Sequence, residues 1–154
     1  MDDVLDLSGL AHVVGIPILQ ARNWTSGRPI RIKPSVRAAI GKGSRNLYDE
    51  TDVFKIAVAN CLRQYGQSFK LIQYVLDHVD LQKFVEQSKF WLILRISADG
   101  IEHEVQEADT EEAGLTTVVY AAGCANLAID LSSFLGDVEQ RISNYMKAQT
   151  PDDE

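Results

Sequence analysis

The sequence predicts an α+β chain whose first half is helical around a basic loop, and whose second half is a small three-stranded antiparallel sheet packed with a long C-terminal helix. Three observations predict it. Apolar residues recur every three or four positions through the first half, change to a period of two between Phe90 and Val105, and return to helical spacing from about Ala125. Breakers punctuate the chain between those runs, at Gly15, Gly27, Pro29, Pro34, Gly41, Gly43, Gly66 and Gly100. Charge is also unevenly divided: residues 1–80 hold ten Lys or Arg against eight Asp or Glu, and residues 81–154 hold five against fourteen.

At 154 residues and 45% hydrophobic content, the chain is long enough for one domain or two small ones and can bury a core without disulfides. No apolar run approaches the roughly 20 residues that a membrane helix needs. The acidic start Met1-Asp2-Asp3 does not read as a secretory signal, so a cytoplasmic location and no membrane contact are expected. Cys61 and Cys124 lie far apart in sequence and read as reduced, unpaired thiols.

Taken in order, Leu7, Leu10, Ala11 and Val14 mark one face of a short helix, with Asp6 as its cap and Gly15 as its stop. Pro17 opens a second helix running to about Trp24, since its fixed φ suits the first helical turn, and Gly27 closes it. Helix, tight turn, helix is the helix-turn-helix order, in which the second helix enters the major groove of DNA. From Arg28 to Asn46 basic and apolar residues alternate among the breakers, the pattern of a β-hairpin wing with a flexible basic tip.

Between Leu7 and Tyr48 there are seven Lys or Arg residues and no Asp or Glu, inside a chain of formal charge −7. Such a run is a local positive surface on a molecule that would otherwise repel polyanions, so it reads as a contact surface for double-stranded DNA. On the second helix, Gln20 and Asn23 are candidate base readers, and Arg22 suits a phosphate or a guanine. Arg28, Arg31, Lys33, Arg37, Lys42 and Arg45 are candidate phosphate contacts. Trp24 and Tyr48 fit packing between recognition helix and wing, with a phosphate contact from either ring as the functional alternative.

Four stretches together are similar to the DNA-binding domain of MerR-type winged-helix regulators. They are Leu7 to Ile16; Arg22-Asn23-Trp24 with Gly27; Arg45 to Val53; and Leu62 to Gly66 with Ile72. The resemblance covers the first half of the chain and implies a winged helix-turn-helix followed by a helix pair. It makes Arg22 similar to the family's recognition-helix arginine, Arg45 to its wing arginine, and Tyr48 to the tyrosine that ends the wing. Pro17 stands where the family usually has a Ser or Thr cap, Trp24 stands for a common Tyr, and the wing is several residues longer. Excisionase-like proteins share this plan, which keeps architectural DNA binding open.

After the wing, a helix is predicted from Tyr48-Asp49-Glu50 to about Tyr65, its carboxylates at the positive end of the helix dipole. Gly66 stops it, and Ser68 caps a further helix whose stripe runs from Phe69 through Ile72, Val75, Leu76 and Val79 to Phe84 and Val85. Two strands follow, Phe90 to Ser97 and Ile101 to Gln106, turning at Ala98-Asp99-Gly100. Glu107 to Glu112 reads as an acidic loop and Leu115 to Ala121 as a third strand. The last helix is predicted over Ala125 to Ala148, on the spacing of Leu127, Leu131, Leu135, Val138 and Ile142. The expected domains are a DNA-binding unit over 1–86, an acidic dimerisation or effector module over 87–150, and a disordered tail over 151–154.

Catalysis finds little in the sequence. His12, His78 and His103 are scattered, and no metal-spaced pair or phosphate-cradling glycine loop appears. His103 falls on the opposite strand face from Glu102 and Glu104, as a partly buried ring rather than a metal ligand. The expectation is therefore a non-enzymatic, cofactor-free regulator that binds DNA selectively as a homodimer through residues 88–148, its small-molecule effector, if any, undetermined. A protein-interaction module on a winged-helix scaffold is the alternative from another class.

Overall fold

A computed structural model describes residues 4–33, 46–86, 90–107, 117–121 and 124–150. Two compact units are present: residues 1–79 with 138–154, and residues 80–137.

The first unit begins with α1 (Leu7–Val14) and α2 (Ile18–Thr25). The Asp6 carboxylate accepts the Gly9 N–H at 2.9 Å, satisfying an end group of α1. Gly15 closes the helix at φ 80°, its N–H donating to Ala11. That left-handed conformation favours glycine and turns the chain sharply into Pro17. Buried Leu10, Val13 and Val14 hold α1 in the core, and Ala21 and Trp24 do the same for α2.

After α2 the chain folds back on its end, the Arg28 N–H donating to Asn23 at 2.9 Å and the Ile32 N–H to Trp24 at 3.1 Å. Ile30 and Ile32 are buried while Arg31 and Lys33 are exposed, the alternation the sequence shows. Arg28 to Ile30 form bends and Arg31 to Lys33 no regular element, so neither is a strand, and residues 34–45, where the wing tip is expected, lie outside the described residues. The chain re-enters at Asn46, and Tyr48 forms an antiparallel bridge with Leu5 through two 2.8 Å hydrogen bonds.

α3 (Glu50–Gln64) opens with a capping box: Asp49 accepts the Asp52 N–H at 3.0 Å, and the Asp52 carboxylate accepts that of Asp49 at 3.2 Å. Gly66 turns the chain at φ 78°, Arg63 lies 4.1 Å over the Phe69 ring, and Ser68 caps α4 (Phe69–His78). Phe54, Ile56 and Leu62 of α3 and Leu71, Ile72 and Val75 of α4 are buried in the core. The stripe predicted to continue through Phe84 and Val85 breaks at Val79, whose backbone is extended, and Phe84 lies instead on a separate short helix, α5 (Gln82–Glu86).

In the second unit, β1 (Phe90–Ser97), β2 (Gly100–Glu107), β3 (Thr117–Ala121) and β4 (Cys124–Ile129) form one antiparallel sheet in the order β2-β1-β4-β3. The predicted three-stranded sheet therefore gains a strand, and the last helix, α6 (Leu131–Gln149), starts six residues later than Ala125. Leu127 and Ile129 alternate inward opposite Leu94 and Leu92 of β1, so strand pairing claims a segment whose Leu127–Leu131 spacing also suits a helix. Asp130 then caps α6, accepting the Ser133 N–H at 3.1 Å and its hydroxyl at 2.9 Å. Cys124 accordingly lies in a strand. His103, expected as a partly buried ring, is exposed on the edge strand β2.

Candidate nucleic-acid interface

The surface in question is built on α2. Because Ala21 and Trp24 are buried three residues apart, the opposite side of this helix must face out. Ile18, Leu19, Arg22 and Ser26 lie on that side, with Leu19 60% and Ile18 47% exposed. Gln20 and Asn23, the candidate base readers, are half-buried on its flanks. Ile18 and Leu19 have no counterpart among the sequence candidates. The burial of Ala21 and Trp24 was the signal that could have found them, since it fixes which side of α2 is free.

Arg28, Arg31 and Lys33 are exposed next to the C-terminal end of α2. The stem of Arg31 passes close to Gly27, where an added Cβ would lie 3.9 Å from the arginine Cγ. Among the described residues, none of the Arg22, Arg28, Arg31 and Lys33 side chains pairs with a carboxylate. Arg22 stands in the last turn of α2, at the negative end of the helix dipole, which stabilises a cation there. Arg37, Lys42 and Arg45 lie outside the described residues.

Tyr48 does not belong to this surface. Its ring is 0% exposed and its hydroxyl is buried without a hydrogen-bond partner among the described residues, so it cannot meet a phosphate. Bridging to Leu5 carries the side chain into the core, where a large apolar ring contributes most.

Two clefts open on the first unit. One, of about 570 Å³, lies where the Arg31–Lys33 segment meets α3 and α4, and is lined by Arg31, Ile32, Lys33, Lys55, Gln73, Leu76 and Asp77. The Arg31 N–H donates to Gln73 Oε1 at 2.9 Å, and Gln73 Nε2 donates to Asp77 Oδ1 at 2.9 Å. The other, of about 560 Å³, runs between α1 and the C-terminal part of α6, where the His12 and Tyr145 rings lie 5.3 Å apart.

Cys61 is unpaired and half-buried on α3, and burial pushes its thiol pKa up. Among the described residues, no group of three His, Cys, Asp or Glu is placed to hold a metal, and no helix is long and apolar enough to cross a membrane. On the second unit the charge pattern differs: Arg95 and Glu102, opposite each other on β1 and β2, approach to 3.9 Å as an exposed pair of little energetic weight. Compared with protein-family models and with curated proteins, the chain matches none of them.

Proposed function

We propose that the protein is a sequence-selective DNA-binding transcriptional regulator of the MerR-like winged-helix plan, with α2 as the helix that enters the major groove. One observation carries the reading: Arg22, Arg28, Arg31 and Lys33 are exposed around one end of a helix whose other side is pinned in the core, and no carboxylate among the described residues neutralises them. A helix held from behind and flanked by free cations is what groove insertion requires. Arg22 reads a base edge or a phosphate. Ile18 and Leu19, at the N-terminal end that points deepest in such docking, meet thymine methyl groups. Arg31, Lys33, Arg37, Lys42 and Arg45 neutralise phosphates.

A homodimer through residues 88–148 and a cytoplasmic site of action belong to the same reading. Trp91 and Ile93, half-exposed on the side of β1 away from Leu92 and Leu94, are the surface a second copy would cover. Selection of bound sequences from a random duplex pool, with sedimentation in parallel, tests both points. The expected result is a palindromic motif with half-sites about one helical turn apart and a dimeric species. With five phosphate contacts, log affinity falls against log salt with a slope of roughly −4 to −5. Arg22→Ala weakens binding and relaxes preference at one position by about 1 to 3 kcal/mol. A slope near zero would remove the basic segment from the mechanism.

Exposure of Ile18 and Leu19 also favours a second reading, in which α2 anchors a protein partner on a winged-helix scaffold. Absence of any gel-shifted complex with genomic fragments at low salt would select that reading over the first.

A further inference from the structure

Burial of Ile30 and Ile32 forces Arg31 and Lys33 to the same outer side of the segment that follows α2. The segment is not left to find its own place. Gln73 of α4 accepts the Arg31 main-chain N–H, and its own amide is fixed in turn by Asp77, one helical turn further along. Packing of α3 on α4 then brings in a third cation, Lys55, which lies outside the acid-free run and shares the cleft of about 570 Å³ with Arg31 and Lys33. No ion pair engages any of the three among the described residues. Asp77, the single carboxylate lining the cleft among the described residues, accepts from Gln73, leaving an excess of positive charge around the opening.

We propose that this cleft grips a backbone phosphate of duplex DNA, with Lys55 as a binding residue and Gln73 as the residue that positions Arg31. The inference rests on the DNA-binding reading and deepens it: the grip on the duplex extends from α2 and the basic segment to the α3–α4 pair. Arg31 supplies directional donors, Lys55 and Lys33 supply point charges, and Gln73 keeps the arginine's main chain from moving when the phosphate arrives.

Fluorescence anisotropy of a labelled duplex, titrated with the full chain over a salt series, tests it with Lys55→Gln, Lys55→Arg and Gln73→Ala, each checked for an unchanged melting temperature. Lys55→Gln is expected to make the log–log salt slope shallower by about one contact, and Lys55→Arg to restore it. Gln73→Ala is expected to weaken binding at every salt concentration while leaving the slope unchanged, because the charges remain and only their placement is lost. Wild-type binding that Lys55→Gln leaves unaltered in affinity and slope overturns the inference alone. Failure of the wild-type chain to bind duplex at low salt overturns the DNA-binding reading and the inference with it. Tripolyphosphate binding that Lys55→Gln abolishes, with duplex affinity untouched, would reassign the cleft to a free polyphosphate and overturn the backbone contact.

Discussion

Tyr48 shows how the fold selects between two roles that the sequence leaves open, core packing and phosphate contact. Its position at the end of the basic run makes it a plausible phosphate contact, yet the ring is in the core and the hydroxyl has no partner among the described residues. An unsatisfied buried hydroxyl costs free energy that its removal returns. Tyr48→Phe is therefore expected to leave the denaturation midpoint unchanged or raise it, whereas Tyr48→Ala should cost about 3–5 kcal/mol through the cavity it leaves. A loss of more than about 1 kcal/mol in Tyr48→Phe would mean that the hydroxyl is bonded in solution. Cys61 gives a second test at this scale. Burial raises its pKa, so the folded state holds the thiol proton at pH values where the unfolded chain has begun to release it. Stability from this site is full below the unfolded pKa and declines as pH rises toward the folded one. Alkylation of Cys61 by iodoacetamide should correspondingly start at a higher pH in the native protein than in denaturant.

At the scale of elements, caps and breakers were legible because they act locally. Asp6, Gly15, Gly27, Gly66 and Ser68 do what their residue types require at helix ends, and no distant contact is needed to read them. Asp49→Ala removes one half of a capping box and should lower stability by about 1 kcal/mol in urea titration. An unchanged midpoint would show that the box contributes nothing. β4 was not legible for the opposite reason. Its two inward residues, Leu127 and Ile129, are too few to define alternation, and Leu127 also stands four residues before Leu131. Only the neighbouring β1 decides between the two geometries, by offering Leu92 and Leu94 as partners.

At the scale of the whole molecule, α6 crosses the boundary between the two compact units: residues 131–137 belong with the sheet, and residues from 138 onward belong with the helices. Val138 and Ile142 are buried. A fragment ending at Glu86, although it contains every candidate DNA-binding residue, is thus expected to melt well below the full chain. Ile142→Ala in the full chain should cost about 2–5 kcal/mol. Circular dichroism melts of both would test this, and a fragment as stable as the whole would sink it. The acid-free basic run marked the surface on α2 and its following segment, but Ile18, Leu19, Lys55 and Gln73 carry no mark in the linear order. The first two needed the buried side of α2, and the last two needed α3 and α4 to pack.

By itself the sequence determined the bounds of α1 to α3 and the start of α4, which stretch is basic, and where helical spacing first gives way to alternation, because each depends on residues within a turn or two of one another. Tertiary structure alone decided that residues 124–129 are a strand and that Lys55 joins Arg31 and Lys33. Those outcomes depend on which distant segment arrives alongside, and burial free energy, summed over the partners that meet, outweighs the weaker preferences of any single stretch.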